Sequence, residues 1–133
     1  MASFDDLRKE AQEIQDYLEI TMSDNPQEVV ERGNVLMAYL ARTAAMLADA
    51  KLIVNRKRRS EAMELVRDLL ADKKLSAKVQ NAFIDSLCAD EQHLVDWIER
   101  LNAACTHQMD WCRSIVSKNK AEIMLSNMGR EFQ

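Results

Sequence analysis

The sequence predicts an all-α fold, and three observations carry that expectation. Backbone breakers are rare: in 133 residues the only glycines are Gly33 and Gly129, and the only proline is Pro26. A β-sandwich or barrel needs a turn about every 8 to 12 residues, built largely from such residues. Apolar residues recur in steps of three and four over long stretches, the period of one helix face. The hydrophobic share, 47%, is that of a chain that buries a core and argues against disorder. The expected architecture is a single helical domain over 1–133. It is an elongated hairpin of two long helices with an additional N-terminal amphipathic helix, completed by oligomerisation.

The first element is expected over 3–22. The Ser3 hydroxyl can cap the Asp6 amide while the Asp6 carboxylate reaches back. Phe4, Leu7, Ala11, Ile14 and Leu18 form a heptad seam that seeks a partner helix, opposite a face of Asp5, Glu10, Glu13, Asp16 and Glu19. Two heptads are marginal alone, so this segment must dock on its own chain or a neighbour.

Ser23, Asp24, Asn25 and Pro26 then mark a break and a fresh start. Asn25 suits the cap, Pro26 the first helical position, and Glu28 a capping box. A long helix over 26–73 follows, with Val29, Gly33, Leu36, Leu40, Ala44 and Leu47 on one face, resumed by Met63, Val66, Leu69 and Leu70. The stretch Asn55–Ser60 is polar all round, and the expectation is that the helix runs on through it.

Asp72 to Ser76 reads as a tight hairpin turn with Ser76 capping a third helix, expected over 76–127. One of its stripes is Phe83, Leu87, Leu94, Trp97, Leu101, Ala104, Trp111 and Ile115. A second is Ile84, Cys88, Val95, Ile98, Cys105, Met109, Cys112 and Val116. Two stripes require cover on more than one side. A helix of about 50 residues spans roughly 75 Å, longer than a compact globule of this size. Phe4, Leu7, Ile14, Leu18, Trp97 and Trp111 are therefore the expected oligomer interface.

Composition excludes more chemistry than it suggests. No apolar run is long enough to span a membrane, and the acidic N-terminus lacks the pattern of a signal peptide. The expected location is cytoplasmic, the host cytoplasm if the protein is phage-encoded. Cys88, Cys105 and Cys112 lie inside apolar-periodic sequence and read as reduced core residues. Two isolated glycines cannot build a phosphate-binding loop. Cys105 and His107, two apart, point to different sides of a helix and cannot chelate together. Asp90 and His93 could face Glu61 or Glu64, but a carboxylate-bridged metal bundle would need a second histidine from another chain. No pocketed Cys–His pair with an orienting group can be placed either. The expectation is a non-enzymatic protein with no cofactor, metal or catalytic residue, and with the methionines (Met22, Met37, Met46, Met63, Met109, Met124, Met128) mostly filling the core.

Charge is the strongest remaining signal. The net charge of −4 hides alternating blocks: residues 1–32 carry nine acids and three bases, whereas 33–74 carry five acids and nine bases. Residues 75–110 are acidic again, and 111–133 carry four bases against two acids. Arg56, Lys57, Arg58 and Arg59 are consecutive, and Arg67, Lys73 and Lys74 extend the basic zone. Such a run is either a solvated surface or a patch that tracks phosphates. For a single strand it would need stacking partners, for which only Tyr39, Trp97 and Trp111 are candidates.

Three segments also carry a family likeness. They are Asn34-Val-Leu-Met-Ala-Tyr-Leu opening a long, increasingly basic helix, and Lys74-Leu-Ser-Ala leading to a Trp97-centred helix. The third is Leu101-Asn-Ala-Ala-Cys followed by Arg113, Ser114, Lys118 and Ile123. Over about three quarters of the chain this resembles the phage recombination mediator family typified by UvsY. The resemblance implies a non-enzymatic homo-oligomer that binds single-stranded DNA, contacts a single-strand-binding protein and helps load a recombinase. By position its DNA contacts would fall on Arg56–Arg59 and Arg67. The net acidity and the acidic first heptads depart from that pattern. The alternative is a helical protein–protein interaction module, a scaffold, adaptor or inhibitor, that binds no nucleic acid.

Overall fold

Helix α1 starts where the chain can satisfy its first amides locally. In the computed structural model, which describes residues 2–69 and 76–131, the Ser3 hydroxyl accepts from the Asp6 amide at 3.2 Å. The Asp6 carboxylate accepts from the Ser3 amide at 3.4 Å, which closes the expected capping box. Helix α1 covers Phe4–Glu19 and ends before residue 22, at an extended Ile20. The Asn25 side chain accepts from the amides of Gln27 and Glu28 and opens α2, Pro26–Leu69. Ser76 caps α3, Ala77–Leu87, through the Val79 amide at 3.3 Å, and α4 runs Ala89–Glu131. All four elements are helices, and there is no strand among the described residues. The expected hairpin turn at Asp72–Leu75 lies outside them.

The polar stretch Asn55–Ser60 does not interrupt α2. Its inner side is held by charge in place of apolar contact, since Lys57 reaches Glu91 and Arg58 reaches Asp85 across the hairpin. The single helix expected over 76–127 is corrected to two. At Cys88 (φ −101°, ψ 13°) the amide bonds to both Ile84 and Asp85 carbonyls, a tightened turn that leaves the thiol fully buried. The Gln92 amide then bonds to the Cys88 carbonyl and α4 begins. At its far end α4 passes through Gly129, because an isolated glycine only weakens a helix.

Helices α2 and α4 run antiparallel along most of their lengths. Contacts pair Arg32 with Gln108, Thr43 with Asn102, Lys51 with Glu99 and Lys57 with Glu91. Each inner seam repeats every seven residues: Val29, Leu36, Thr43, Ala50 and Lys57 on α2, and Glu91, Ile98, Cys105, Cys112 and Asn119 on α4. That is coiled-coil spacing. Thr43 is buried and satisfied, donating to the Tyr39 carbonyl and accepting from the Asn102 amide at 2.9 Å.

Helix α1 fills the third position of a bundle over the middle of this pair. Leu7, Ala11 and Ile14 are buried against Met46, Ala50 and Val54 of α2 and Leu94, Val95, Ile98 and Leu101 of α4. Phe4, Leu18 and Trp97 pack at the margin of this core. A bidentate Arg42–Glu10 pair at 2.7 Å ties α1 to α2, and the Trp97 indole donates to Gln15 at 3.1 Å. The end of α1 is fastened by Arg32, which donates to the Leu18 carbonyl at 3.3 Å and to Gln108 at 2.8 Å. Its guanidinium lies 4.4 Å over the Tyr17 ring. Gln108 donates to the same Leu18 carbonyl, so the negative end of the α1 dipole faces a buried cation and an amide.

Candidate interaction surfaces

The bundle is closed only where α1 lies, and this overturns part of the expected oligomer interface. Leu7 and Ile14 are at most 1% exposed inside their own chain, and Phe4 and Leu18 pack on the same core. Trp97 is half-buried with its indole nitrogen satisfied by Gln15. Leu7 and Ile14 are thus covered within their own chain, while Phe4, Leu18 and Trp97 keep part of their surface exposed. Trp111, expected on a buried stripe, is exposed instead. The physical reason is phase: α4 turns Cys105 and Cys112 inward, so Trp111 faces out.

The basic cluster is also divided. Lys57 donates to both oxygens of the buried Glu91 carboxylate, at 2.8 and 2.9 Å, and that bond raises the lysine pKa above its ordinary value. Arg58 donates to Asp85 at 2.5 Å. Arg56 is exposed on another side of the helix. Arg59 and Arg67, both exposed, frame a shallow apolar hollow of Ala62, Met63 and Val66 on one face of α2. The consecutive run is thus fanned around the helix, and Lys73 and Lys74 lie outside the described residues. Among the candidate stacking residues, Tyr39 packs edge-on against Tyr17 and is partly buried.

No metal constellation forms among the described residues. Glu91 takes the inward position and meets a lysine there, while Asp90 and His93 are exposed. Cys88, Cys105 and Cys112 are buried as free thiols. Burial pushes the Cys105 and Cys112 thiols above their ordinary pKa, against a smaller opposing effect of Arg32. Low-pKa thiol chemistry is not what these environments favour. No helix of the described residues is long and apolar enough to cross a membrane.

Apolar side chains are exposed where α1 does not reach. At one end of the hairpin these are Met63 and Val66 of α2 and Val79, Phe83 and Leu87 of α3. Helix α3 buries no residue at all, and its Val79–Phe83–Leu87 stripe faces outward. At the other end they are Val30 and Met37 of α2 with Val116, Ile123, Met124, Leu125 and Met128 of α4. A groove between α2 and α4 joins several of them, lined by Val30, Gly33, Met37, Met109, Cys112 and Val116. Met37, Met63, Met124 and Met128 are therefore surface residues, contrary to the expectation of core filler.

The expected inner face of α2 lies close to the observed one: Val29 and Leu36 are buried and Gly33, Leu40 and Leu47 partly so, but the buried row continues through Thr43 and Ala50, and Ala44 is exposed. The signal was present as a strict seven-residue repeat, hidden by a threonine and a lysine occupying inner positions. Compared with family models, curated proteins and solved structures, the chain matches none. The likeness to recombination mediators therefore rests on its sequence segments alone.

Proposed function

We propose that the chain is a non-catalytic helical interaction module that works by protein–protein contact, first of all with copies of itself. One observation carries this reading: large apolar side chains lie exposed in coherent strips at both ends of the hairpin, while the middle is closed. Contiguous apolar surface of this kind marks a contact surface in a soluble protein. Within the recombination-mediator expectation, the self-association half draws on the same strips. The single-stranded DNA half would draw on the exposed Arg59 and Arg67, since Lys57 and Arg58 are engaged with Glu91 and Asp85.

Light scattering at tens of micromolar tests the proposal, with an expected mass of at least twice 15.3 kDa. A folded monomer at that concentration overturns it. Fluorescence anisotropy with labelled oligo-dT at low salt is expected to give no binding. Binding that weakens by about 0.7 log units per contacted phosphate with each tenfold rise in salt would put the DNA reading in its place.

A further inference from the structure

We infer that α3 is a strap that opens about the break at Cys88 while the three-helix bundle stays closed, and that the Arg58–Asp85 pair is its latch. The inference does not depend on self-association. It starts from two neighbouring bases on α2. Lys57 binds Glu91 of α4, just beyond the break, and Arg58 binds Asp85 of α3, just before it. Two consecutive side chains of α2 therefore hold both arms of the break.

The two holds differ in strength. Both bases have side chains 38% exposed, so the difference lies in the carboxylates. The Glu91 side chain is 10% exposed and accepts from Lys57 at both oxygens, at 2.8 and 2.9 Å. Breaking that pair leaves a buried charge without its partner. The Asp85 side chain is 59% exposed and accepts from Arg58 at one oxygen. Water can replace that partner, and salt screens it.

Packing points the same way. Helix α3 buries no residue, and only Gln80 and Ile84 along it are partly buried. Helix α4, in contrast, is anchored soon after the break by Leu94, Val95 and Ile98 in the central core. At the break itself the Cys88 amide is shared between the Ile84 and Asp85 carbonyls, at 3.1 and 3.3 Å. Tightened turns of this kind within a helical run often mark hinges. A segment with few buried apolar contacts opens at a smaller free energy than the core does.

Cys88 is placed to report the opening. Its side chain is fully buried, yet it belongs to neither apolar core, whereas Cys105 and Cys112 both sit in the core shared by α2 and α4. Lys57 lies close enough to the Cys88 thiol to interact with it electrostatically, which places the thiol at the junction of α2, α3 and α4. Moving α3 away uncovers that junction and leaves the other two thiols buried. It also changes the apolar surface at this end of the hairpin, where Met63 and Val66 of α2 are exposed.

Thiol labelling of the full chain with N-ethylmaleimide in native buffer, read by peptide mass spectrometry, tests the strap. Cys88 should react at least about ten-fold faster than Cys105 and Cys112, because a local opening is more populated than the global one. Arg58→Met should speed Cys88 by up to about five-fold, the range of an exposed ion pair, and leave the other two rates unchanged. Those two rates show in the same sample that the bundle is intact. Arg58→Lys, which keeps a cation, should stay near the wild type. Added salt should speed Cys88 in the wild type and do so less in Arg58→Met. A Cys88 that reacts no faster than Cys105 and Cys112 overturns the strap. Fast reaction of Cys88 that neither Arg58→Met nor salt alters overturns the assignment of Arg58–Asp85 as its latch.

Discussion

The middle and the α3 end of the hairpin share the helix α2 and differ in one respect, the presence of α1. In the middle, three helices enclose ten buried residues from Leu7 to Leu101. At the α3 end two helices meet alone, α3 buries nothing, and Phe83 is 52% exposed. Both stretches of sequence are apolar at helical spacing. What separates core from contact surface is therefore the third helix, since two crossing helices can shield only a narrow seam between them.

The largest expected effect breaks the comparison at its centre. Leu7→Ala or Ile14→Ala should each cost about 2–5 kcal/mol in urea unfolding, the usual cost of a cavity in a packed core. Phe83→Ala, which removes a larger side chain from the open end, should stay within about 0.5 kcal/mol under conditions where the protein is monomeric. Equal losses at the two sites would mean that the α3 end is packed as tightly as the middle.

A smaller effect should come from the fastening of α1. Arg32→Met keeps the aliphatic stem and removes the donors to Leu18 and Gln108 and the contact with the Tyr17 ring. A loss of about 1–3 kcal/mol is expected. Amide hydrogen exchange should quicken in the last turns of α1 and leave α3 unchanged. If exchange in α1 does not change, apolar packing alone holds that end.

The smallest effect is a loss of stability on the alkaline side, confined to the closed region. Burial raises the Cys105 and Cys112 thiols, and burial also raises the Tyr17 hydroxyl despite the neighbouring Arg32. As pH rises past the ordinary thiol range, about 8.5, the unfolded chain loses these protons before the folded one does. The stabilisation is thus full below that range and declines as pH climbs through the raised values. The urea midpoint should fall correspondingly, and Cys105→Ala with Cys112→Ala should flatten the fall. A slope unchanged by the double substitution would assign the alkaline loss to other groups.

Much of the fold was legible because its signals are short-ranged. Ser3, Asn25 and Ser76 cap the helices they were expected to cap, each through amides within three residues. Continuity through Asn55–Ser60 followed from the lack of any breaker there. The candidate site was far less legible. Four consecutive bases look like a patch in a string of letters, yet successive residues on a helix point about 100° apart. Lys57 and Arg58 then met carboxylates on α4 and α3 that no spacing on α2 could reveal. Trp111 and Met37 read as core because apolar character alone does not say which side of a helix is covered.

The sequence by itself determined that the chain is helical, where α1, α2 and α3 begin, and that α1 carries a seam to bury. Those properties depend on capping groups and side-chain periods within a turn or two of the residue concerned. Only the tertiary structure decided that α1 buries its seam within its own chain, that Cys88 divides α3 from α4, and which face of α2 turns inward. Helix α2 carries two apolar faces, one through Val29, Leu36, Thr43 and Ala50 and one through Val30, Met37, Ala41 and Ala48. The choice between them is made by contacts such as Leu36 with Cys105 in one core, between residues far apart in the chain. Periodicity records that two faces exist, and packing against a distant helix selects the one that is buried.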